Sequence, residues 1–294
     1  MKSVPERLFP FDRHWLDLDG FRMHYLDEGS GEPVVAVHGN PTWSFYYRDL
    51  VSALHDEHRV VVPDHIGCGL SDKPDDNHYD YTLARRVEDF GLLLDDLGLE
   101  DINLVVHDWG GMIGLAWAVR NPGRVKRLVI LNTAAFHLPK SKAFPWQLWI
   151  VRDTPLGPLM VRGFNGFARG ATRVACTRKK LTREVRDAYC APYDSWSDRI
   201  ATLRFVQDIP LRPGDPGYEI VSDTAAGLGV FSDRPVLVCW GDKDFVFDHH
   251  FLAEWHRIYP HAEVYRFPDC GHYILEDASD EIIQLIKEFL STKV

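Results

Sequence analysis

In the run Leu104-Val105-Val106-His107-Asp108-Trp109-Gly110-Gly111-Met112, a carboxylate stands where an apolar stretch gives way to a helix-like one. The residues before it read as a buried parallel strand and Met112 to Val119 as a helix, which puts Asp108 on the sharp turn between them. Gly110 and Gly111 let backbone and helix approach closely where a nucleophile is held in a strained conformation. A serine on such an elbow attacks carbonyl carbon. An aspartate is a weak but permanently ionised nucleophile, suited to displacing a leaving group from sp3 carbon. The plain alternative is a solvent-facing Asp that caps the helix, and two further sites weigh against it.

Val236 to Trp240 is a second buried-strand candidate, and Gly241-Asp242-Lys243-Asp244 after it puts an acid just beyond the strand end. Farther on, Pro268-Asp269-Cys270-Gly271-His272-Tyr273 follows the strand-like Ala262 to Phe267. The order nucleophile, acid, histidine is that of the α/β-hydrolase triad, in which Asp244 fixes the tautomer of His272 and His272 acts as general base. Among 14 histidines, His272 alone sits in a Gly-His loop after the last expected strand with a terminal helix following.

The third site is Val34-Val35-Ala36-Val37-His38-Gly39-Asn40-Pro41, a strand running into a tight loop. The residue after His-Gly commonly offers its backbone N–H to a developing anion, and the residue after the nucleophile offers a second. Here these are Asn40 and Trp109, whose side chains are donors as well and could hold a departing anion directly. Taken alone, Asn40 reads equally as a turn residue before proline. Four features in the right order read as one assembled site.

A chain of 294 residues with 45% hydrophobic content can bury a large core as one α/β domain with an insertion. Its net charge of -10 and lack of a basic stripe argue against nucleic acid as a partner. Met1 to Glu6 lacks the apolar centre of a signal peptide, and no apolar run reaches membrane-spanning length, so a cytoplasmic location is expected. Cys68, Cys176, Cys190, Cys239 and Cys270 are odd in number and unpaired in spacing, which predicts mostly buried thiols, Cys270 included. No zinc-like spacing and no Gly-rich phosphate loop is found, so the expected chemistry uses no metal and no cofactor.

Strands are expected near 15–18, 23–27, 34–37, 60–63, 103–107, 127–132, 236–240 and 262–267, alternating with helices. That pattern predicts an α/β-hydrolase fold: a mostly parallel eight-stranded sheet covered by helices on both faces. The clearest helix runs from Thr82, its N-cap, to Leu97, with Gly98 as the stop. Between Asn132 and Val236 the alternation fails and the segment is rich in aromatics, Arg, Gly and Pro, with helix-like pieces at 145–151 and 182–189. The expected organisation is a core at 1–134, a helical cap at 135–230 lying over Asp108, and the rest of the core at 231–294. Phe144, Trp146, Trp149, Phe164, Phe167 and Trp196 could line an apolar pocket under the cap or form the cap's own core.

The Asp-Trp elbow, the His-Gly-Asn-Pro loop and the cap resemble haloalkane dehalogenases. A closer likeness is to the dehalogenase-like β-lactone decarboxylases of bacterial long-chain olefin biosynthesis. It is carried by 63–67, 70–76, 107–114, 131–136 and 192–196, and most narrowly by Arg204-Phe205-Val206-Gln207-Asp208-Ile209-Pro210-Leu211 and Phe245-Val246-Phe247-Asp248-His249-His250. Residues 137–190 match less clearly. The resemblance implies Asp108 as nucleophile, His272 as base, Asp244 as its orienting acid, and Asn40 with Trp109 as the anion-binding pair. It also implies a long-chain apolar substrate and assembly with other olefin-pathway enzymes. Some dehalogenases carry the acid after the sixth strand, where this chain has the amide Asn132, so Asp244 is preferred.

A β-lactone offers Asp108 two electrophilic carbons. Attack at the sp3 carbon frees a carboxylate and leaves an alkyl ester on Asp108, from which loss of CO2 anti to the ester bond expels Asp108 and forms the alkene. Attack at the carbonyl gives a mixed anhydride instead, and both routes stay open at this point. The competing readings are a haloalkane dehalogenase, in which His272 activates water, and an epoxide hydrolase, which needs a cap tyrosine such as Tyr189 or Tyr193 as acid. A non-catalytic ligand receptor is the alternative of another class, and it predicts decay of at least one triad member.

Overall fold

The computed structural model describes residues 4–292; the first three residues, part of the amino-terminal stretch weighed above, and the last two lie outside it. Among the described residues eight strands form one sheet: β1 (His14–Leu18), β2 (Phe21–Glu28), β3 (Glu32–Val37), β4 (His58–Pro63), β5 (Ile102–Asp108), β6 (Val125–Thr133), β7 (Val236–Gly241) and β8 (Glu263–Phe267). Their order is β1-β2-β4-β3-β5-β6-β7-β8. β1, β2 and β4 pair antiparallel, and every pair from β4 through β3 to β8 is parallel. The α/β-hydrolase sheet expected from the alternation is therefore present.

Side chains alternate across each strand, and this divides the interior into two cores. Leu104 and Val106 of β5 face one core with Val35, Val37 and Ile130, while Val105 faces the other with Val34, Ala36 and Val129. The first core is closed by α2 (Leu83–Asp96) and α3 (Trp109–Ala118), and the second by α1 (Arg48–Leu54). Thr82 caps α2 as expected, its Oγ1 accepting the Arg85 N–H, and Gly98 stops it at φ +57°.

Between β6 and β7 the chain leaves the sheet through α4 (Trp146–Asp153), α5 (Leu156–Pro158), a π-helical turn (Leu159–Gly163), α6 (Gly166–Val174), α7 (Arg183–Cys190) and α8 (Ile200–Gln207). It returns through α9 (Tyr218–Gly227), which sends Val221 into the core beside α3. After β7 come α10 (His249–Ile258), α11 (Ile274–Asp277) and α12 (Ser279–Ser291), the last closing the second core.

The inserted helices have an aliphatic core of Leu148, Val151, Val161, Leu203 and Val206, with Phe144 and Phe167 packed against it. Trp146, Trp149, Phe164 and Trp196, expected in the pocket or the cap core, are instead between 49% and 66% exposed. Helical geometry explains the two on α4: Leu148 and Val151 share the inward face, so positions 146 and 149 turn outward.

Candidate active site

Asp108 ends β5 at φ 52° and ψ -127°, a conformation that costs on the order of 1–3 kcal/mol for a residue with a side chain. The surroundings hold it there. Thr133 Oγ1 donates to the Asp108 carbonyl, and α3 starts on the next residue. Two glycines make room: a Cβ on Gly110 would overlap the Val37 carbonyl, and one on Gly39 would overlap the Asp108 carboxylate itself.

The Asn40 backbone N–H donates to Asp108 Oδ1 at 2.6 Å. That is a departure from expectation, because the donor meant for a developing anion already holds one oxygen of the nucleophile candidate. The Asn40 side chain is partly committed as well, since its Nδ2 donates to the Thr202 carbonyl of α8 at 3.1 Å. The second amide hydrogen stays available. Trp109 borders the cavity above Asp108, its ring 5.2 Å from Phe205 of α8. Among the described residues its indole N–H has no protein acceptor.

His272 lies between two carboxylates. Its Nδ1–H donates to Asp244 Oδ2 at 2.7 Å, and its Nε2 is 3.5 Å from Asp108 Oδ2. Burial disfavours the imidazolium, but Asp244 and Asp108 on either side outweigh it and push His272 up to about 10. Asp108 is the mirror case: burial opposes its charge, yet His272 and the Asn40 N–H hold the carboxyl below its ordinary range. Each charge thus favours the other, His272 being drawn toward the imidazolium and Asp108 toward the carboxylate.

Asp244 is braced in turn. Its Oδ1 accepts the Val246 N–H at 2.8 Å, and Asn132 Nδ2 donates to its Oδ2 at 3.1 Å. Asn132 also exchanges hydrogen bonds with Gly241, receiving its N–H at 2.8 Å and donating to its carbonyl at 3.1 Å. The amide at the end of β6 therefore anchors the acid after β7, a contact that the sequence reading missed. His107 is a second such residue, donating from Nε2 to the His272 carbonyl at 2.8 Å; burial and the nearby His272 hold it down to about 3, so it is neutral. Arg86 is a third: its guanidinium carbon lies 3.7 Å from the Phe205 ring centre and 5.9 Å from that of Trp109, a buried cation behind the anion-binding candidate.

Asn40, Asp108, Trp109 and His272 border a cavity of about 480 Å³. Its other walls are mainly apolar, among them Phe136, Leu138, Phe144, Leu148, Phe167 and Ile209. Tyr189 and Tyr193 are not on the wall. Their hydroxyls donate to Glu276 Oε1 at 2.6 Å and to the Thr42 carbonyl at 3.3 Å, which removes both candidate acids of the epoxide reading. Asp248, His249 and His250, a grouping that spacing rules passed over, bring possible metal ligand atoms within 4.8 Å of one another. Asp248 there is already engaged by Lys142 Nζ at 2.6 Å and caps α10 through the His250 N–H at 3.0 Å.

The α/β hydrolase fold family matches residues 32–279. The cis-3-alkyl-4-alkyloxetan-2-one decarboxylase of Shewanella oneidensis is 61% identical over 97% of this chain and 90% of its own length. The enzyme of the same name from Xanthomonas campestris is 50% identical over 92% and 93%. Among solved structures, the haloalkane dehalogenase DatA from Agrobacterium tumefaciens superposes with a TM-score of 0.85 at 26% identity, covering 95% of this chain and 96% of its own. An ionised elbow aspartate under an apolar cavity, with these relatives, puts the chain in the α/β-hydrolase family, within the branch of the cis-3-alkyl-4-alkyloxetan-2-one decarboxylases.

Proposed function

We propose that this protein converts cis-3,4-dialkyl β-lactones to cis-alkenes and CO2, with Asp108 as nucleophile, His272 and Asp244 as its charged partners, and Asn40 and Trp109 as the anion-binding pair. The observation that carries the roles is the division of labour on Asp108: Oδ1 is tied to the Asn40 N–H, and Oδ2 stands 3.5 Å from His272 beneath an apolar cavity. Residues 135–230 are proposed as the insertion, α4 to α8 forming the cap while α9 packs back on the core.

The occupied Asn40 N–H favours attack at the sp3 carbon. A carbonyl attack needs that donor for a new oxyanion, whereas displacement at sp3 carbon does not. In this route Asp108 Oδ2 forms a bond to the carbon bearing the ring oxygen, and the ring C–O bond breaks onto the carboxylate. The freed carboxylate meets the His272 cation, the Trp109 indole N–H and the remaining Asn40 amide hydrogen. The C–CO2 bond then breaks, its electron pair forms the alkene, and the ester bond returns its pair to Asp108. No water or proton is consumed. Inversion followed by anti elimination keeps a cis ring as a cis alkene.

The cavity's apolar wall suits long alkyl chains. A cytoplasmic location and assembly with the enzymes that supply the lactone complete the reading; among the described residues no helix is long and apolar enough to cross a membrane.

The test is to incubate the purified protein with a cis-3,4-dialkyl β-lactone and, separately, a long-chain bromoalkane, with Asp108→Ala alongside. Alkene from the unaltered protein alone is the expected result. Bromide without alkene would return the protein to dehalogenase chemistry. Any adduct trapped on Asp108 during turnover should carry the full lactone mass, because ring opening precedes loss of CO2; one lacking the mass of CO2 contradicts the route drawn.

A further inference from the structure

Two helices that wall the cavity each turn a second face to solvent. On α4, Leu148 points inward, while Trp146 and Trp149 stand at least half exposed. On α6, Phe167, Gly170 and Val174 line the cavity, while Arg169 and Arg173 turn away from it. Leu156, Leu159 and Phe164 on the intervening turns are exposed as well, and Met160, Val174 and Phe245 both line the cavity and are exposed. Of 13 large hydrophobic side chains found exposed among the described residues, eight fall within 146–196.

The same region is cationic. Residues 140–187 carry eleven lysines and arginines against three carboxylates, in a chain of net charge -10. Arg169 and Arg173 of α6, Arg183 and Arg186 of α7, and Arg199 border a groove of about 330 Å³, with Asp187 and Asp194 as its acids. Arg183 pairs with Asp187 at 3.6 Å, and Arg199 donates to backbone carbonyls, including that of Tyr193 at 2.8 Å. Among the described residues Arg169, Arg173 and Arg186 have no carboxylate within ion-pair distance.

Exposed indoles and guanidiniums on the helices of one insertion, with Arg162 4.8 Å from the Trp196 ring centre, are what a surface needs to rest at a lipid–water boundary. Tryptophan favours the headgroup level, and basic side chains are drawn to anionic lipid. We infer that this face docks peripherally on an anionic phospholipid surface, with the cavity mouth toward the lipid. A dialkyl lactone and its alkene would then pass between bilayer and cavity without crossing water. The docking deepens the proposed function and rests on it for the cargo, but binding itself is read without turnover.

The experiment is co-sedimentation of the full chain with vesicles of phosphatidylcholine alone or mixed with phosphatidylglycerol, at low and high salt. The expected result is partition onto the mixed vesicles only, released by salt. Each basic residue at an anionic surface contributes about fivefold, so Arg169→Ala with Arg173→Ala should weaken partition about thirtyfold. The Lys pair at the same positions should retain most of it, and Trp146→Ser with Trp149→Ser should weaken it independently. Thermal melting of each variant shows that it is folded. Equal partition onto neutral vesicles, no partition onto either, or a folded Ala pair that binds like the parent would overturn the docking. So would binding through these arginines to a purified pathway enzyme but not to vesicles, which makes the face a protein interface. Failure of lactone turnover with vesicle binding intact would count against the function alone.

Discussion

Replacing Asp244 by Asn removes one of the two charges that keep His272 protonated while preserving the shape of the contact. His272 stands at about 10 against an ordinary 6.5, because two carboxylates flank it at 2.7 Å and 3.5 Å and overcome its burial. A single opposite charge in contact raises such a group by about 1–3 pH units, and the nearer carboxylate is the one removed. The proposed route needs the His272 cation to receive the freed carboxylate, so kcat/KM should be flat through neutrality and fall only as pH rises through about 10. In Asp244→Asn the alkaline limb should move down by about two pH units, so at pH 9 the variant should lose about tenfold relative to pH 7 and the parent little. The assay is initial alkene formation against pH, with the His272 ring followed by NMR. The limb belongs to the coupled triad rather than to one residue. An alkaline-active profile rising through pH 6.5 in the unaltered protein would mean a neutral His272 base in the free enzyme, and the charge assignment would be wrong. A variant whose limb does not move would refute Asp244 as the dominant charge.

Four further outcomes follow from the same geometry. Trp109→Phe keeps the wall but deletes the indole N–H; if that donor holds the freed carboxylate, alkene formation falls by about 10²-fold with KM nearly unchanged. Asn132→Ala deletes a hydrogen bond to a charged acceptor worth about 1.5–3 kcal/mol, so the rate should drop at least tenfold and the alkaline limb should shift down, whereas a purely structural Asn132 would alter melting without moving the limb. Asp108→Asn should abolish turnover yet fold normally, since Asn tolerates positive φ; on the acid side, the parent should stay active as pH falls through the ordinary carboxylate range, because His272 and the Asn40 N–H hold Asp108 ionised.

Residues at strand ends were the most legible part of this sequence. Asp108 and Asp244 each follow a short apolar run and His272 follows the last strand, and parallel strands bring such ends together at one edge of a sheet whatever the intervening chain does. The faces of the inserted helices were less legible. An aromatic at position 146 or 149 is equally apolar inside or outside, and only the inward turn of Leu148 and Val151 decides between them. Asn40 shows a different limit: its loop announces a backbone donor, but whether that donor faces substrate or the nucleophile depends on the Asp108 rotamer, which no spacing encodes. Asn132 was read as a missing acid when it is the brace of the acid on the next strand. The arginine groove draws on α6, α7 and Arg199, and becomes visible only when those segments pack.

Charge also explains how a hydrolase scaffold can decarboxylate without hydrolysing. In a dehalogenase-type cycle, esterification of the aspartate removes one negative charge from the histidine, whose proton affinity drops, and it can then take a proton from water. On the sp3 route proposed here, esterification of Asp108 creates a new carboxylate on the substrate at the same moment. If that carboxylate lies against His272, the histidine keeps two anionic neighbours and stays protonated, so no base is available to activate water at the ester. Loss of CO2 needs no base and faces no competitor. A substrate that esterifies Asp108 without producing a carboxylate should therefore restore hydrolysis. A long-chain bromoalkane is such a substrate once its bromide has departed, and slow bromide release with alcohol formation is the expected side activity. Stable accumulation of the alkyl-enzyme from that substrate, without alcohol, would show that His272 is prevented from acting as a base by something other than the substrate's own charge.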